Sequence, residues 1–206
     1  MEQVELPIDI DQVKGFLHPD EGAALYRQAL IASRLGPCLE IGSYCGKSTL
    51  YLAAACRQTD ALLYAIDHHG GSEEHQLGEE YHDPELYDRE EAVMDSFRTF
   101  RRNLRRAGLD AQVVPIVAPS ALAARHWNTP LGMVFIDGGH SLEAALTDYR
   151  CWAGHLVPGG ILAIHDIFPD PRDGGQAPHQ IYQLASASGL FEQLPMARTL
   201  GLLRRL

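Results

Sequence analysis

Several protein classes are excluded by what this chain lacks. Only four of its 206 residues are cysteine. Cys38, Cys45, Cys56 and Cys151 contain no Cys-x-x-Cys pair, which argues against a disulfide scaffold, a zinc ribbon or a thioredoxin-like redox motif. Each lies among apolar or small residues and is expected to be a buried, reduced thiol. No apolar run approaches the roughly 18 residues of a membrane span, and Met1-Glu2-Gln3-Val4-Glu5 is acidic where a secretory leader is basic. The expectation is a cytoplasmic protein with no membrane partner. Positive charge is also scarce, with 17 Lys and Arg against 27 Asp and Glu and a net charge of -10. On this reading no basic block is able to neutralise a run of phosphates, so nucleic acid is not an expected partner. Internal repeats and low-complexity tracts are missing too.

What is present is a chain that is 46% hydrophobic, enough for one substantial core and one domain over residues 1–206. His18 to Arg34 reads as a helix with Pro19, Asp20 and Glu21 in its opening turn, acids at the positive end of the dipole. Short apolar runs follow at Cys38 to Ile41, Leu62 to Ile66, Val113 to Val117, Met133 to Ile136 and Ile161 to Ile164. Helix-length stretches lie between most of them, among them Ser48 to Ala55, Phe97 to Ala107 and Leu142 to Leu156. Strands alternating with helices predict an α/β, mostly parallel sheet covered on both faces. Phe191 to Pro195 and Leu200 to Leu203 read as a closing hairpin. Residues 1–35 form an N-terminal helical segment and 36–206 the core. Residues 68–93, rich in His and Glu, are too polar and long for an ordinary connection. They leave the carboxyl end of a strand, where open α/β sheets bind ligands, and are expected to cap an active site.

The strongest local signal is Leu39-Glu40-Ile41-Gly42-Ser43-Tyr44-Cys45-Gly46-Lys47-Ser48-Thr49, a strand, a glycine turn and a helix start. Glycine lets a ligand approach the backbone, and free amides at a helix entrance favour an anionic group. A phosphate-binding P-loop needs four residues between its first Gly and its Gly-Lys-Ser, and Gly42 and Gly46 enclose three. Met133-Val134-Phe135-Ile136-Asp137 does imitate the apolar strand and acid of such enzymes, so nucleotide hydrolysis stays as an alternative. A dinucleotide fold needs glycine at the position of Tyr44. S-adenosylmethionine fits better, because an acid before the turn suits its cationic end. Asp67, closing Leu63-Tyr64-Ala65-Ile66-Asp67, can accept both ribose hydroxyl protons; its structural reading is a turn cap.

Glu40 to Thr49, Ala65-Ile66-Asp67, Val134-Phe135-Ile136-Asp137-Gly138-Gly139-His140 and Leu156-Val157-Pro158-Gly159-Gly160-Ile161-Leu162-Ala163-Ile164-His165-Asp166 together resemble the class I S-adenosylmethionine-dependent methyltransferases. The nearest group is that of small-molecule and antibiotic-sugar O-methyltransferases. The resemblance spans roughly residues 36 to 206. It implies a Rossmann-like seven-stranded sheet with an antiparallel last strand. It also places Glu40, Gly42 and Gly46 around the methionine end of the cofactor, Asp67 on the ribose and Ser120 near the adenine. Ser43, Tyr44 and Ser48 are weaker contacts from the same turn, and Lys47 is expected to be solvated or capping.

Asp137 and Asp166 end neighbouring strands, about 5 Å apart laterally in a sheet, so their carboxylates can share one hard cation such as magnesium. The resemblance likewise makes both of them metal ligands, with Asp137 also at the cofactor and in catalysis. Ile167 stands where an Asn usually follows the second acid, which leaves the third ligand open. His140, three residues after Asp137, falls where this group carries its base, and an imidazole suits removal of a hydroxyl proton. Its structural reading is a hydrogen bond to a loop carbonyl. His165 is left open among ligand, second base and packed strand end. His155, Trp127, Trp152 and Tyr149 read as structural.

The expected function is metal-assisted O-methylation of a small hydroxylated or carboxylated acceptor. A metal-independent methyltransferase and a non-catalytic S-adenosylmethionine-binding module are the alternatives. A homo-oligomer is left open.

Overall fold

The computed structural model describes residues 4–71 and 83–206. Its strands are β1 (Cys38–Ile41), β2 (Leu63–Asp67), the short β3 (Tyr87–Asp88) and β4 (Val93–Met94), β5 (Val113–Val117), β6 (Leu131–Ile136), β7 (Leu156–Ile164), β8 (Phe191–Ala197) and β9 (Leu200–Arg205). Seven of them form one sheet in the order β5-β2-β1-β6-β7-β9-β8. β5, β2, β1, β6 and β7 are parallel, and β9 enters antiparallel between β7 and β8. This is the expected mixed sheet with its closing hairpin.

Parallel strands covered on both faces read as continuous apolar runs, and β1 and β6 are buried at every position. Successive residues of β6 still serve opposite cores. Met133 and Phe135 pack with α1 (Pro19–Ala32), α2 (Lys47–Thr59) and α3 (Phe97–Ala107). Val134 and Ile136 pack with α5 (Leu142–Trp152) and α6 (Ala177–Ala187). The short α4 (Ser120–Ala123) follows β5.

Register brings the functional segments together. Ile41 pairs with Ile66 on one side and Ile136 on the other, and Ile136 pairs with Ile164. Gly42, Asp67, Asp137 and Asp166 therefore emerge along one edge, at the carboxyl ends of four adjacent parallel strands.

Three local expectations are corrected. The helix from Leu142 stops at Trp152 and tightens into a 3-10 turn, Ala153–His155. β7 begins five residues earlier than its apolar run, through Pro158-Gly159-Gly160, which reads as a turn in isolation but sits at a register shift beside β6. Basic residues are more clustered than their overall scarcity suggests, since α3 exposes Arg98, Arg101, Arg102, Arg105 and Arg106 on its outer face. Of the cysteines, Cys38, Cys45 and Cys56 are buried, Cys151 is half-buried, and all four are free thiols.

Of the segment expected as a cap, residues 72–82, with His75, His82, Glu73, Glu74, Glu79 and Glu80, lie outside the described residues. Its described parts include a small hairpin of β3 (Tyr87–Asp88) and β4 (Val93–Met94). Lys14 reaches Asp83 and Glu85 and ties this part to the chain before α1. Among the described residues no helix is long and apolar enough to cross a membrane.

Candidate active site

The glycine turn is shaped from two sides. Gly42 has φ 85°, and a Cβ there would stand 2.0 Å from the Asp137 carbonyl oxygen, so β1 and the end of β6 touch through backbone that only glycine permits. Tyr44 is also left-handed, at φ 45°, and Gly46 caps α2 with no side-chain hydrogen bond. Asp67 ties the turn down. Its Oδ2 accepts the N–H groups of Ser43 (3.0 Å) and Tyr44 (2.8 Å), and its Oδ1 accepts that of His69 (2.7 Å). This is the turn-capping reading. A carboxylate accepts about four hydrogen bonds, so three filled positions leave acceptor capacity on a residue that lines the cleft.

Glu40 lies beneath the turn and is fully buried. Ser48 Oγ donates to its Oε1 at 2.5 Å and Thr49 Oγ1 to its Oε2 at 2.6 Å. Burial pushes this carboxyl up to about 8, against the two hydroxyls and with the help of negative charge on Asp137 and Asp67. Ser48 therefore has its hydroxyl committed to the scaffold. Ser43 differs, because its buried Oγ has no hydrogen-bond partner and the residue lines the cleft. Lys47 lines the cleft and donates to the Gly15 carbonyl at 3.4 Å, between the first short helical turn and α1.

The cleft has a volume of about 1120 Å³, above the roughly 300–1,000 Å³ of a typical single-ligand site. It runs from the glycine turn past Ser120 to the ends of β6 and β7. Ser120 Oγ accepts the Trp152 indole N–H at 2.8 Å and hydrogen-bonds Asp148. Asp148 is 5% exposed, and burial raises it to about 6 against that hydroxyl.

At the far end, Asp137, His140 and Asp166 offer ligand atoms that all lie within 4.8 Å of one another. His140 Nε2 is 3.2 Å from Asp166 Oδ2. Asp166 follows β7 in a left-handed conformation, φ 57°. Burial works to raise its pKa, but the His140 hydrogen bond and the charge of His165 leave it below the usual value. Asp137 is raised, because burial outweighs the attraction of His165. Ile167 is buried and gives its N–H to the Thr199 carbonyl at 2.9 Å, so its side chain belongs to the core.

His165 is resolved as a packed strand-end residue, 4% exposed. Its Nδ1 stands 3.0 Å from Asp137 Oδ1 and its Nε2 3.1 Å from Glu21 Oε2. Burial alone would lower the ring's pKa, yet Asp137, Glu21 and Asp166 raise it to about 11.

Sequence reasoning had singled out Asp137, His140 and Asp166, and the structure brings all three together. It had missed Glu21 and Asp148 as members of the site. Both carried a signal. Glu21 falls on the buried stripe of α1 with Leu25, Ala29 and Ala32, and Asp148 on that of α5 with Ala145 and Trp152. A charge on an apolar stripe needs a partner. Thr199, at the turn between β8 and β9, gave no signal.

Comparison with known proteins agrees with this geometry. Residues 39–167 match the family described as methyltransferase domain. Among solved structures, the O-methyltransferase NovP superposes with a TM-score of 0.65 at 16% identity, covering 91% of this chain and 80% of its own. The S-adenosylhomocysteine-bound methyltransferase PaMTH1 of Podospora anserina gives 0.64 at 17%, covering 93% and 80%. TomG of Streptomyces achromogenes, an O-methyltransferase of tomaymycin synthesis bound to S-adenosylmethionine, gives 0.61 at 16%, covering 92% and 81%. At such identities these likenesses concern the fold. The family match spans more than half of the chain and includes both the glycine turn and the paired acids, and on that ground this protein belongs to the methyltransferase-domain family, as a class I S-adenosylmethionine-dependent methyltransferase.

Proposed function

We propose that this enzyme methylates an oxygen of a small hydroxylated or carboxylated acceptor, with a divalent cation held by Asp137 and Asp166. The observation that carries this reading is the meeting of Asp137, His140 and Asp166 in the same cleft as the glycine turn and Asp67. Relatives of the same fold named as O-methyltransferases support it.

The site fits the cofactor. Ser43 Oγ is buried and lacks a partner, the close backbone approach at Gly42 shapes the turn, and Asp67 keeps acceptor capacity for a ribose diol. Tyr44, Gly46 and Ser120 complete the wall. Asp67, Asp137 and Asp166 make the cleft acidic, which attracts the sulfonium cation of the cofactor. The donors also fit a hard divalent ion such as magnesium, two carboxylates with an imidazole beside them. When bound, that ion would supply charge neutralisation that lowers the pKa of an acceptor hydroxyl.

The protein's own groups do the rest. Asp137 and Asp166 fix the acceptor end of the cleft while the glycine turn fixes the cofactor end, so the acceptor oxygen and the methyl carbon are held in line. His140, exposed at the cleft wall and hydrogen-bonded to Asp166, takes the hydroxyl proton. Its place inside the 4.8 Å group favours a second reading, in which the imidazole is the third ligand. The two readings separate by measurement. A base variant, His140→Ala, loses roughly 10²–10⁴ in turnover with cation affinity intact, whereas a ligand variant loses the affinity as well.

The deciding experiment incubates the enzyme with S-adenosylmethionine and metabolite pools, with and without magnesium, and follows methylated products by mass spectrometry. Methylation that stops on chelation and in Asp137→Ala supports the reading. Full rate after chelation with a dead His140→Ala leaves a metal-independent base mechanism. If no acceptor is methylated under any condition while cofactor still binds, the chain is a binding module and the assignment falls.

A further inference from the structure

Glu21 lies 144 residues from His165 in the sequence and touches no cleft-lining acid directly, yet it is joined to both Asp137 and Asp166. Its Oε2 faces His165 Nε2 at 3.1 Å and accepts the His18 N–H at 3.0 Å. Its Oε1 accepts the N–H and the hydroxyl of Thr199, at 2.9 and 2.7 Å. The first path continues from His165 Nδ1 to Asp137 Oδ1. The second continues from the Thr199 carbonyl to the N–H of Ile167, next to Asp166. The first path is hydrogen-bonded throughout, and Glu21 and His165 are 3% and 4% exposed.

The chemistry of the ring fixes the charges. A carboxylate accepts and cannot donate, so an imidazole between two carboxylates donates from both nitrogens and carries a positive charge. That cation stands against Asp137 and 3.5 Å from Asp166 Oδ1. Alone it would cancel part of the negative charge that a divalent ion needs. Glu21 cancels the ring instead. Three carboxylates and one imidazolium leave two negative charges at the site, matching one divalent cation.

We propose that Glu21 is a positioning residue for the cation site: it orients His165 toward Asp137 Oδ1 and offsets the ring's charge, so that Asp137 and Asp166 keep their full attraction for a divalent ion. The inference rests on the cation reading given above. Partners behind metal ligands change affinity by roughly 10–100-fold when removed, and Glu21 acts in that range without contacting the ion.

The test measures Mn²⁺ binding by titration calorimetry, with S-adenosylmethionine affinity measured separately without metal. Glu21→Gln keeps the side chain's size and removes its charge. It should weaken Mn²⁺ at least tenfold and leave cofactor affinity within about twofold. Thr199→Val, which removes a hydrogen bond to Glu21 but no charge, should leave Mn²⁺ within a few-fold. The double variant Glu21→Gln/His165→Asn removes one charge of each sign, so it should recover much of the affinity lost by Glu21→Gln, and it remains informative if the single variant does not fold. Equal Mn²⁺ affinity in Glu21→Gln and wild type overturns the inference alone. A double variant as weak as or weaker than Glu21→Gln, or no tighter than tenfold below wild type where the single variant does not fold, overturns charge balance. A wild-type protein that takes up no Mn²⁺ overturns both this inference and the cation reading.

Discussion

Glu21 and Glu40 are both buried, at 3% and 0% exposure, and their surroundings drive them in opposite directions. For Glu40 burial dominates, two hydroxyls answer it weakly, and the negative neighbours Asp137 and Asp67 add to it, so the group rises to about 8. Near neutral pH it is mostly protonated. For Glu21 burial also works to raise the pKa, but His165, Thr199 and the His18 amide favour the ionised form and bring it to about 2. Burial penalises charge in both places, and the partners decide whether the charge survives. One glutamate is a neutral buttress under a loop, and the other is a charged tie between distant parts of the chain.

The largest expected effect breaks the charged side of this comparison. His165→Ala leaves Glu21 and Asp137 without their shared cation and should cost about 3–5 kcal/mol, read from the urea midpoint. An unchanged midpoint would show that the ring is not the keystone of that region. Breaking the neutral side costs less. Ser48→Ala or Thr49→Val each removes one hydroxyl from Glu40 and should cost about 1–3 kcal/mol, with cofactor affinity falling in parallel because both residues open the helix beside the glycine turn.

The comparison sharpens when pH is varied. Glu40 is raised from 4.5 to about 8, so its contribution is fully present below 4.5 and is lost as pH rises through 8. One proton sets a slope of at most about 1.4 kcal/mol per pH unit. Glu21 is lowered from 4.5 to about 2, so its contribution is present above 4.5 and is lost as pH falls through 2. His165 is raised from 6.5 to about 11, and its contribution fades over the interval above 6.5. The melting temperature of wild type should therefore decline on both sides of about pH 4.5. Glu40→Gln should flatten the slope between 4.5 and 8 while leaving the acid limb in place. At pH 4.5, where the acid is protonated in the fold, that substitution should change stability by no more than about 1 kcal/mol, the smallest effect of the set. An unflattened slope in Glu40→Gln would show that Glu40 is ionised in the fold.

The same contrast explains what could be read from the sequence. Glu40 finds Ser48 and Thr49 eight and nine residues away, inside one strand-turn-helix unit whose spacing is visible in the chain. Val113–Val117 and Phe97–Ala107 match their apolar patterns for the same reason. Asp137 and Asp166 were legible because acids that end apolar runs come to one edge once the sheet is parallel. The pairing of Glu21 with His165 was not, since only the packing of α1 against β7 brings the two together across 144 residues. The hairpin of β3 and β4 was missed because two-residue strands carry no periodicity. Pro158-Gly159-Gly160 lies in the register shift between the pairs Leu131 with Leu156 and Met133 with Ile161, with Gly159 left-handed at φ 82°, an irregularity that the apolar run after it does not announce.

Placing β9 between β7 and β8 sets a schedule for synthesis. β7 ends at Ile164 and β9 begins at Leu200, so at about 5–20 residues per second the ribosome delivers the partner some 2–7 s after the strand that needs it. Until β9 arrives, Ile161, Leu162, Ala163 and Ile164 form an apolar strand with one edge open to any other chain. A chain cut after residue 199 keeps that edge open permanently and should aggregate where the full chain stays in solution.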